Sequence, residues 1–497
     1  NPFGNGRNVL FVGGSDWEGV KAATASLIEL LRSAGGQPGK LSVNYLAKVK
    51  LGTGYVLPDK IEDTQIWEAS EYYKSSGYFG WNIISKNMAL FYMTGEERFL
   101  REFLRLSFPD SSAIKELEVK DGERIEDKKH PLSGPYHYSA HMMIEMWDLI
   151  EESPLLTDEQ RLKITNAFAQ QLEHRMAEYG SIFGKTKSPS HVFDRHYDWA
   201  AFSLYALARY FEKDYPDPVW KRSMEAGDLY FSALKTTYWA AGNNDHLFWF
   251  TSYYDPLLDY LLLTGKRDPA MMANLRQALN TQQVISTGQQ PDWGIRASSL
   301  SMLNKAAHIL NEGRWLYYRE HIDLNTDVFR LGQSFWPDTS TLKPLAPIDL
   351  VGVWDMQWMP KEMWEDRSIG FPLKQSFRWG SYRSELGAGG DYVLLKGYNG
   401  AGRNPYHTFD ILELRLNGAT LLKGYHNQVL TSADGMVEPK VAMDAQLLYN
   451  GVVGQTTTAV AQVPNLAFVN WRRSLALRKG RYALVADELE CRSNSEN

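Results

Sequence analysis

Two stretches of the chain change abruptly from polar to apolar residues. The first, residues 191–211, places the polar segment Asp194–Asp198 directly before a run that is apolar at nearly every position. The second, residues 243–263, follows the same order, because the letters NNDH lead into another long apolar run. A helix that is apolar all round has to be enclosed by other elements. Both stretches therefore predict a buried helix with chemically capable side chains at its beginning.

The region from about residue 64 to residue 321 predicts a repeated pair of helices. A buried helix, a turn and an amphipathic helix recur at a spacing of roughly fifty to sixty residues, and the turns Met93–Gly95 and Leu263–Gly265 share the sequence Thr-Gly. Apolar residues of the amphipathic helices fall four apart, as at Ile164 and Phe168, which makes a single stripe. Buried helices alternating with striped ones predict an inner ring inside an outer ring, which is an incomplete α/α toroid. A helical solenoid is the alternative, although its repeats are usually shorter and more alike.

The C-terminal region predicts an antiparallel β-sandwich. Alternating apolar residues and turn signals such as Asn417-Gly418 and Lys479-Gly480 indicate short strands. The predicted strands are Tyr392–Lys396, Ile411–Leu416, Thr420–Leu422, Thr457–Gln462, Ala467–Val469 and Arg481–Ala486. The polar end, Glu488–Asn497, predicts an incomplete sandwich.

These patterns divide the chain into four segments and predict a multidomain α+β fold with a site between two packed domains. A predicted strand, Asn8–Val12, a glycine turn and a predicted helix, Glu18–Arg32, open the chain. They lack GxGxxG and the P-loop lysine, which disfavours a nucleotide site. The predicted boundaries are 1–60 for a small N-terminal α/β accessory piece, 61–335 for the toroid catalytic domain, 336–375 for a proline-containing linker and 376–497 for the sandwich.

Composition limits the class of protein. A length of 497 residues predicts roughly two or three domains. A net charge of −6 is small for this length and argues against a general nucleic-acid binder. The sequence lacks a run of about eighteen apolar residues, so no membrane span is predicted, and a single cysteine, Cys491, excludes an intrachain disulfide. The first residue is Asn1 rather than methionine, which predicts a processed or incomplete product, and the sequence sets no oligomeric state.

The polar start of the first buried helix carries candidate catalytic groups. Arg195 is suited to a bidentate grip on a substrate carboxylate, and His196 can share that role or abstract a proton. The alternative is structural, with Asp194 and Arg195 paired to each other and His196 capping a neighbouring helix. His191 and Tyr197 flank this group and are candidate substrate-binding residues.

The second buried helix offers amides and phenols. Asn243, Asn244 and His246 are candidate substrate-binding residues, because side-chain donors of this kind stabilise an enolate or a carboxylate. Tyr253 and Tyr254 follow them, and a tyrosine with a lowered pKa can act as acid or base; packing in the core is the alternative for both rings. A loop cation further on, Arg296, is a candidate ligand for sulfate.

The remaining histidines give weaker signals. His407, Asp410 and His426 could together hold a structural divalent metal, zinc or calcium, whereas His407 alone could reach a cleft between the domains. His137 and His141 share a helix face but lack the glutamate of HExxH, so they do not indicate a zinc protease. The histidines of the amphipathic helices, His174 and His308, are predicted to be packing or surface residues.

Three stretches resemble the heparinase II/III-like polysaccharide lyases, over about residues 64–490. They are DRHYDWAAFSLYAL, FTSYYDPLLDYLLLTG and NPYHTFDILELRLNGATLLKG. Arg195 stands where that family has asparagine and Tyr254 where it has histidine, while His407 to Asp410 is one residue longer than the family's His-x-Asp.

The resemblance implies a toroid joined to a β-sandwich and β-elimination at a uronic acid of an acidic polysaccharide or oligosaccharide. It implies that Arg195 and His196 neutralise the uronate carboxylate, that Tyr253 is the acid or both acid and base, and that His407 is a partner from the β side. The chemistry then requires no cofactor. The family also implies a secreted or periplasmic, bacterial-type protein.

Two other functions stay open at this stage. A glycoside hydrolase on the same scaffold needs two carboxylates flanking the bond, for which Asp194, Asp198, Asp245 and Asp255 are candidates. A non-catalytic glycan-binding homologue is the other, since Arg195 and Tyr254 depart from the family pattern.

Overall fold

The computed structural model describes the helical and β regions over most of their length. The described residues are 10–14, 16–33, 49–50, 52, 82–121, 125–174, 176–185, 195–236, 250–285, 297–317, 337–346, 351–355, 370–384, 390–397, 408–423, 427, 429–433, 435–437, 444–464, 466 and 468–492. The helices are α1 Trp17–Ser33, α2 Ile83–Thr94, α3 Glu97–Ser107, α4 Ser111–Asp121, α5 His137–Ile150, α6 Asp158–Ala169, α7 Gln171–His174, α8 Met176–Lys185, α9 Arg195–Asp214, α10 Pro218–Phe231, α11 Phe250–Thr264, α12 Pro269–Ile285 and α13 Ala297–Leu310.

Buried and striped helices alternate as the sequence predicts. Every residue of α2 from Ile83 to Phe91 is buried, whereas α3 buries one stripe that includes Phe99 and Phe103. The buried helices contact one another in chain order, α2 with α5, α5 with α9, α9 with α11 and α11 with α13. Striped helices pack outside them, α3 against α2, α10 against α9 and α12 against α13. The apolar faces therefore meet in a single core, called here the helical core.

The repeated Thr-Gly turns end two buried helices by the same device. Gly95 and Gly265 have φ of 69° and 67°, a left-handed conformation that glycine adopts without steric cost. The preceding threonines, Thr94 and Thr264, donate their hydroxyls to carbonyl oxygens one turn earlier, at 2.6 and 2.8 Å. The sequence signature thus marks equivalent positions in α2 and α11.

Two antiparallel sheets follow the helices. The strands are β1 Val351–Asp355, β2 Phe377–Arg383, β3 Tyr392–Lys396, β4 Ile411–Leu416, β5 Ala419–Lys423, β6 Ser432–Ala433, β7 Met436–Val437, β8 Gln446–Val453, β9 Thr456–Val463, β10 Val469–Arg478 and β11 Tyr482–Cys491. One sheet has the order β1-β2-β3-β4-β5 and the other β11-β10-β9-β8, with β6 and β7 as a separate pair.

The five-stranded sheet is the middle layer between the helices and the second sheet. Along β3, Tyr392 and Leu394 point into the helical core, while Val393 and Leu395 point into the core between the sheets. Side chains alternate along a strand, so one strand serves both cores when both faces are covered. The helical domain and the sandwich therefore share a packed boundary.

Strand prediction succeeded where short apolar segments lie between clear turns. Tyr392–Lys396 and Ile411–Leu416 match the structure at both ends, and Asn417-Gly418 forms the predicted turn with φ of 50° and 77°. The predicted linker, 336–375, contains a strand that the sequence analysis missed, β1 Val351–Asp355. It is an edge strand, where nearby prolines interrupt few ladder hydrogen bonds.

The N-terminal prediction is confirmed for its helix, which spans Trp17–Ser33. Residues 10–12 of the predicted strand are not in a strand, and Asn8 and Val9 lie outside the described residues. A strand requires a hydrogen-bonded neighbour, which an apolar sequence alone does not supply.

Candidate active site

The starts of helices α5 and α9 bring two histidines into contact. His137 Nε2 lies 2.9 Å from His196 Nδ1, and the Tyr138 hydroxyl lies 3.2 Å from the same Nδ1 atom. His137 and Tyr138 are 3% and 1% exposed, while His196 is half-buried. These residues, called here the α5–α9 cluster, thus have two buried members holding a third that is partly open to solvent.

A buried serine joins the two helices directly below the cluster. Ser203, one of the few polar residues in the apolar run of α9, donates its hydroxyl to the His137 carbonyl oxygen at 3.0 Å and accepts the His141 amide at 3.2 Å. Both bonds fix the first turn of α5 against α9. The position of the His137 ring relative to His196 is therefore set by backbone contacts as well as by ring contacts.

Aromatic rings surround the cluster. The Tyr136 and His137 ring centroids are 4.2 Å apart, and Tyr138 meets Trp199 edge to face at 6.1 Å. Trp199 also contacts the buried His141 ring at 5.0 Å. Flat apolar walls of this kind lower the local dielectric and strengthen the electrostatic interactions made by the histidines.

A third helix begins beside the cluster. Asn82 caps α2 through its side-chain oxygen, and its amide nitrogen lies 3.3 Å from the Ser139 hydroxyl in the first turn of α5. The N-terminal ends of α2, α5 and α9 consequently face the same region. Each such end carries about half a positive charge from the helix dipole, which makes the region suited to an anion such as a carboxylate.

Two further inner helices are joined by a buried ionic group. Lys305 of α13 lies 2.8 Å from Asp255 and 2.6 Å from Asp259, both on α11, and all three side chains are buried. We call this group the lysine–aspartate triad. Asp255 lies two residues after Tyr253, so the triad anchors the part of α11 that carries that tyrosine.

Burial changes the pKa of groups in and near the triad. The pKa of Asp259 is raised to about 7, chiefly because burial disfavours the carboxylate and further because Asp255 repels it, against the attraction of Lys305. The pKa of His141 is lowered to about 3, first by burial and then by the charge of Lys305. His141 is therefore neutral at physiological pH, and its role is that of a packed core residue.

The fold of the chain is similar to that of several solved structures. The crystal structure of heparinase III matches 96% of this chain and 76% of its own at a TM-score of 0.52, with 9% sequence identity. The chain has a heparinase III-like fold. A second heparinase III structure covers 96% of this chain and 76% of its own, at a TM-score of 0.48 and 13% identity. Heparan sulfate lyase HepC from Pedobacter heparinus covers 97% and 70%, at 0.47 and 12% identity.

Sequence comparison adds nothing to this structural match. No family model matches the chain, and no curated protein matches it. The likeness to the heparinase-like fold is therefore a likeness of architecture at low sequence identity.

The described residues contain four of the predicted site residues with their side chains. His196 lies in the α5–α9 cluster, and Tyr197 is half-buried beside it on α9. Tyr254 is fully buried in the helical core, and Asp410 is fully buried one residue before β4.

The other predicted site residues are described in part or not at all. Arg195 and Tyr253 belong to α9 and α11, but their side chains lie outside the described part of the structure. Outside the described residues altogether are His191, Asn243, Asn244, His246, Arg296, His407 and His426. Their assignments stay predictions.

Two carboxylates of the hydrolase alternative are already engaged within the heparinase-like fold. Asp198 is fully buried and accepts a hydrogen bond from the Tyr230 hydroxyl at 2.5 Å. Asp255 pairs with Lys305. Neither is placed as a solvent-facing acid or base, while Asp194 and Asp245 lie outside the described residues.

Sequence reasoning missed His137 and Tyr138 as site residues. The signal was present, because Tyr136-His137-Tyr138 stands at the start of the buried helix α5 just as the polar segment stands at the start of α9. The comparison of His137 with a zinc-protease motif addressed only its spacing from His141. The polar start of a buried helix was the feature that the two sites have in common.

Proposed function

We propose that the protein is a polysaccharide lyase that cleaves a uronic-acid-containing acidic polysaccharide by β-elimination. The observation that carries this proposal is the α5–α9 cluster, in which buried His137 and Tyr138 hold His196 at the meeting point of three helix N-termini. Such a site binds a carboxylate and places an imidazole beside it. The heparinase III-like fold supports the same chemistry.

We infer that the helical domain is an incomplete α/α toroid. The ordered contacts α2–α5–α9–α11–α13 support this arrangement, as does the outer position of α3, α10 and α12. In a toroid the inner helices begin at one rim, so the polar starts of α9 and α11 face a common cleft. Arg195, His196 and Tyr253 then act on the same sugar.

The proposed first step is neutralisation of the uronate carboxylate. The C5 proton becomes acidic enough to remove only when the charge of that carboxylate is stabilised, and hydrogen-bond donors fixed in advance do this most effectively. We assign the role to Arg195 and His196, aided by the partial positive charge of the helix N-termini. Asn243, Asn244 and His246 are proposed to contact the same substrate, with His191, Tyr197 and Arg296 as outer binding residues. Tyr254 was predicted to join them, but its ring is enclosed in the helical core and does not reach a substrate.

The hydrogen bonds of the cluster favour one tautomer of His196. Its Nδ1 atom faces the Tyr138 hydroxyl and His137 Nε2. A phenol hydroxyl is a good donor, and an imidazole nitrogen that accepts from it carries its own proton on the other nitrogen. His196 Nε2–H is then a donor to the carboxylate, which leaves proton transfer to other groups.

We propose Tyr253 as the acid that protonates the leaving O4 atom. When the C5 proton and the O4 atom lie on the same face of the sugar, Tyr253 is also the base that removes the C5 proton. His407 is the proposed partner from the β domain. The lysine–aspartate triad supports Tyr253 by fixing the adjacent turn of α11.

From the resemblance to the heparinase II/III-like lyases we also propose a secreted or periplasmic location. Within the described residues, no helix has the length and hydrophobicity of a membrane span.

A panel of uronate polysaccharides tests this function. Alginate, glucuronan, ulvan, chondroitin, hyaluronan and heparan sulfate are each incubated with the protein while ultraviolet absorbance of the conjugated C4–C5 double bond is followed. The proposal predicts a rise with at least one polymer. New reducing ends without absorbance would indicate a hydrolase, and binding without either signal would indicate a glycan-binding protein.

A further inference from the structure

A second group of ionisable side chains lies on the helical domain, in the loop before α5. The His130 Nδ1 and His174 Nε2 atoms lie 2.9 and 3.2 Å from the same oxygen of Asp127, Oδ2. The three ligand atoms lie within 4.8 Å of one another. Asp127, His130 and His174, called here the loop triad, come from two segments 47 residues apart in the chain.

The two oxygens of the Asp127 carboxylate have different partners. Its Oδ1 atom accepts the backbone amides of Lys129 and His130 at 2.9 and 3.3 Å, which shapes the loop. The Asp127 amide donates to the Gly134 carbonyl at 2.9 Å. Gly134 is required here, because a Cβ atom on it would lie 2.6 Å from Asp127 Cβ. The folded loop therefore directs Oδ2 towards the two imidazoles.

The His174 ring is oriented by a contact at its other nitrogen, Nδ1. Its Nδ1 atom lies 3.4 Å from the Ser133 hydroxyl, which turns Nε2 towards Asp127. The Gln171 side chain, one turn earlier, donates to the Leu132 carbonyl at 2.7 Å and ties α7 to the loop. A histidine whose second nitrogen has a fixed partner is the usual arrangement of a metal ligand.

The distances suit a small divalent transition metal. Zinc binds histidine nitrogen and carboxylate oxygen at about 2.0–2.2 Å, so two ligand atoms of a tetrahedral site lie about 3.3 Å apart. The two observed separations from Asp127 Oδ2, 2.9 and 3.2 Å, lie within a few tenths of an ångström of that value. Two imidazoles and one carboxylate favour zinc, cobalt or nickel over calcium, which prefers oxygen ligands.

We propose that the loop triad binds a divalent transition metal, with zinc as the best fit, and that water completes the coordination. His130 and His174 are exposed, so the ion has a direct path from solvent. The loop runs into Tyr136 and then into the first turn of α5, which carries His137. The metal thus joins the loop to α7 and fixes the chain that enters the candidate active site. This site is separate from the one predicted at His407, Asp410 and His426.

A cobalt titration of the full-length protein tests the site. The protein is freed of metal with a chelator and titrated with Co²⁺, followed by visible absorption, and zinc affinity is measured by competition. The double variant His130→Ala/His174→Ala is expected to bind one equivalent fewer than the wild type. His308→Ala, another exposed histidine, serves as the matched control and is expected to bind as the wild type does.

Two further variants separate the possible outcomes. Ser133→Ala keeps all three ligands and is expected to weaken zinc binding by about 10-fold. His426→Ala reports any metal held by the β domain. Equal stoichiometry and affinity in the wild type and the double variant would overturn the proposal, as would absence of cobalt uptake. Loss of all metal in His426→Ala alone would also overturn it.

Hydrogen exchange connects binding to the loop. Zinc is expected to slow amide exchange over residues 125–136 and to raise the midpoint of thermal unfolding in the wild type. Neither change is expected in the double variant. If zinc binds the loop triad but amide exchange over these residues is not slowed, the claim that the metal fixes the segment leading into α5 is refuted.

Discussion

His137 Nε2 lies 2.9 Å from His196 Nδ1, although 59 positions separate the two residues in the chain. Only one proton can lie between two imidazole nitrogens, so one ring donates and the other accepts in this bond. His137 is buried and His196 is partly exposed to solvent, so the His137 ring keeps the His196 ring in position. The proposed contact of His196 with the substrate carboxylate depends on this positioning.

The first prediction concerns His137. His137→Ala removes the ring that positions His196 and is expected to lower kcat/KM by about 100-fold, the size of effect typical of a misplaced catalytic group. His137→Gln keeps an amide donor near the same place and is expected to retain more activity. Initial rates on the polymer identified in the panel provide the measurement, with circular dichroism as the control for folding. Wild-type rates in His137→Ala would show that the pair has no catalytic consequence.

A second prediction separates the two neighbouring tyrosines of α11. Tyr253→Phe removes the proposed acid and is expected to lower kcat by about 100-fold or more. Tyr254→Phe changes a ring that is fully buried in the helical core and out of reach of a substrate, so a much smaller effect on kcat is expected. Steady-state kinetics of both variants decide the assignment. Full turnover in Tyr253→Phe would remove Tyr253 from the mechanism.

The third prediction concerns Lys305. Lys305→Met leaves Asp255 and Asp259 buried without their cation, and breaking a buried ion pair in this way typically costs about 3–5 kcal/mol. Chemical denaturation monitored in the helical domain measures the change. Asp259→Asn, which still leaves Lys305 paired with Asp255, is the matched control and is expected to cost much less. Equal losses of unfolding free energy in both variants would show that the lysine–aspartate triad does not depend on Lys305 as its shared cation.

A fourth prediction follows from the raised pKa of Asp259. Its pKa is about 7 in the folded protein and 3.8 ordinarily, so the folded state keeps a proton that the unfolded state has released. Stability from this group is therefore present at low pH and is lost as pH rises from about 4 to about 7. Asp259→Asn does not titrate, so the difference in stability between the two proteins is expected to shift in favour of the variant as pH rises over that range.

Paired unfolding curves at several pH values test the sign of this effect. His141 acts in the opposite direction, because its pKa is lowered and its unfolded form takes up a proton as pH falls below about 6.5. Both proteins contain His141, so its contribution cancels in the difference between them. A constant difference between pH 4 and pH 8 would mean that Asp259 has an ordinary pKa.

The sequence predicted the elements whose signal is local. The apolar run of α9 and the short apolar segment Tyr392–Lys396 can each be read within one segment, and both appear as predicted. Strand β1 was missed because its pairing with β2 involves residues 22 to 31 positions away, and nearby prolines masked its strand pattern. β10 was predicted only from its first residue, Val469, although its buried and exposed positions alternate as a strand requires.

The candidate site was predicted only in half. His196 was identified because a polar residue before a buried run is costly without a use. Its contacts with His137 and Tyr138 cross from α9 to α5, and no spacing within either segment encodes them. The loop triad is similar, since Asp127 and His174 meet only after the loop and α7 have packed together. Single helices were therefore predictable, whereas contacts between helices required the fold.

The most direct test of the central claim is the mass of the product formed in heavy-oxygen water. β-Elimination breaks the C4–O4 bond without adding water, so the account predicts an unsaturated uronate end that carries no heavy oxygen at C4. His196→Ala is expected to reduce that product strongly at equal protein concentration. Products that carry one heavy oxygen and no double bond would show hydrolysis and contradict the account.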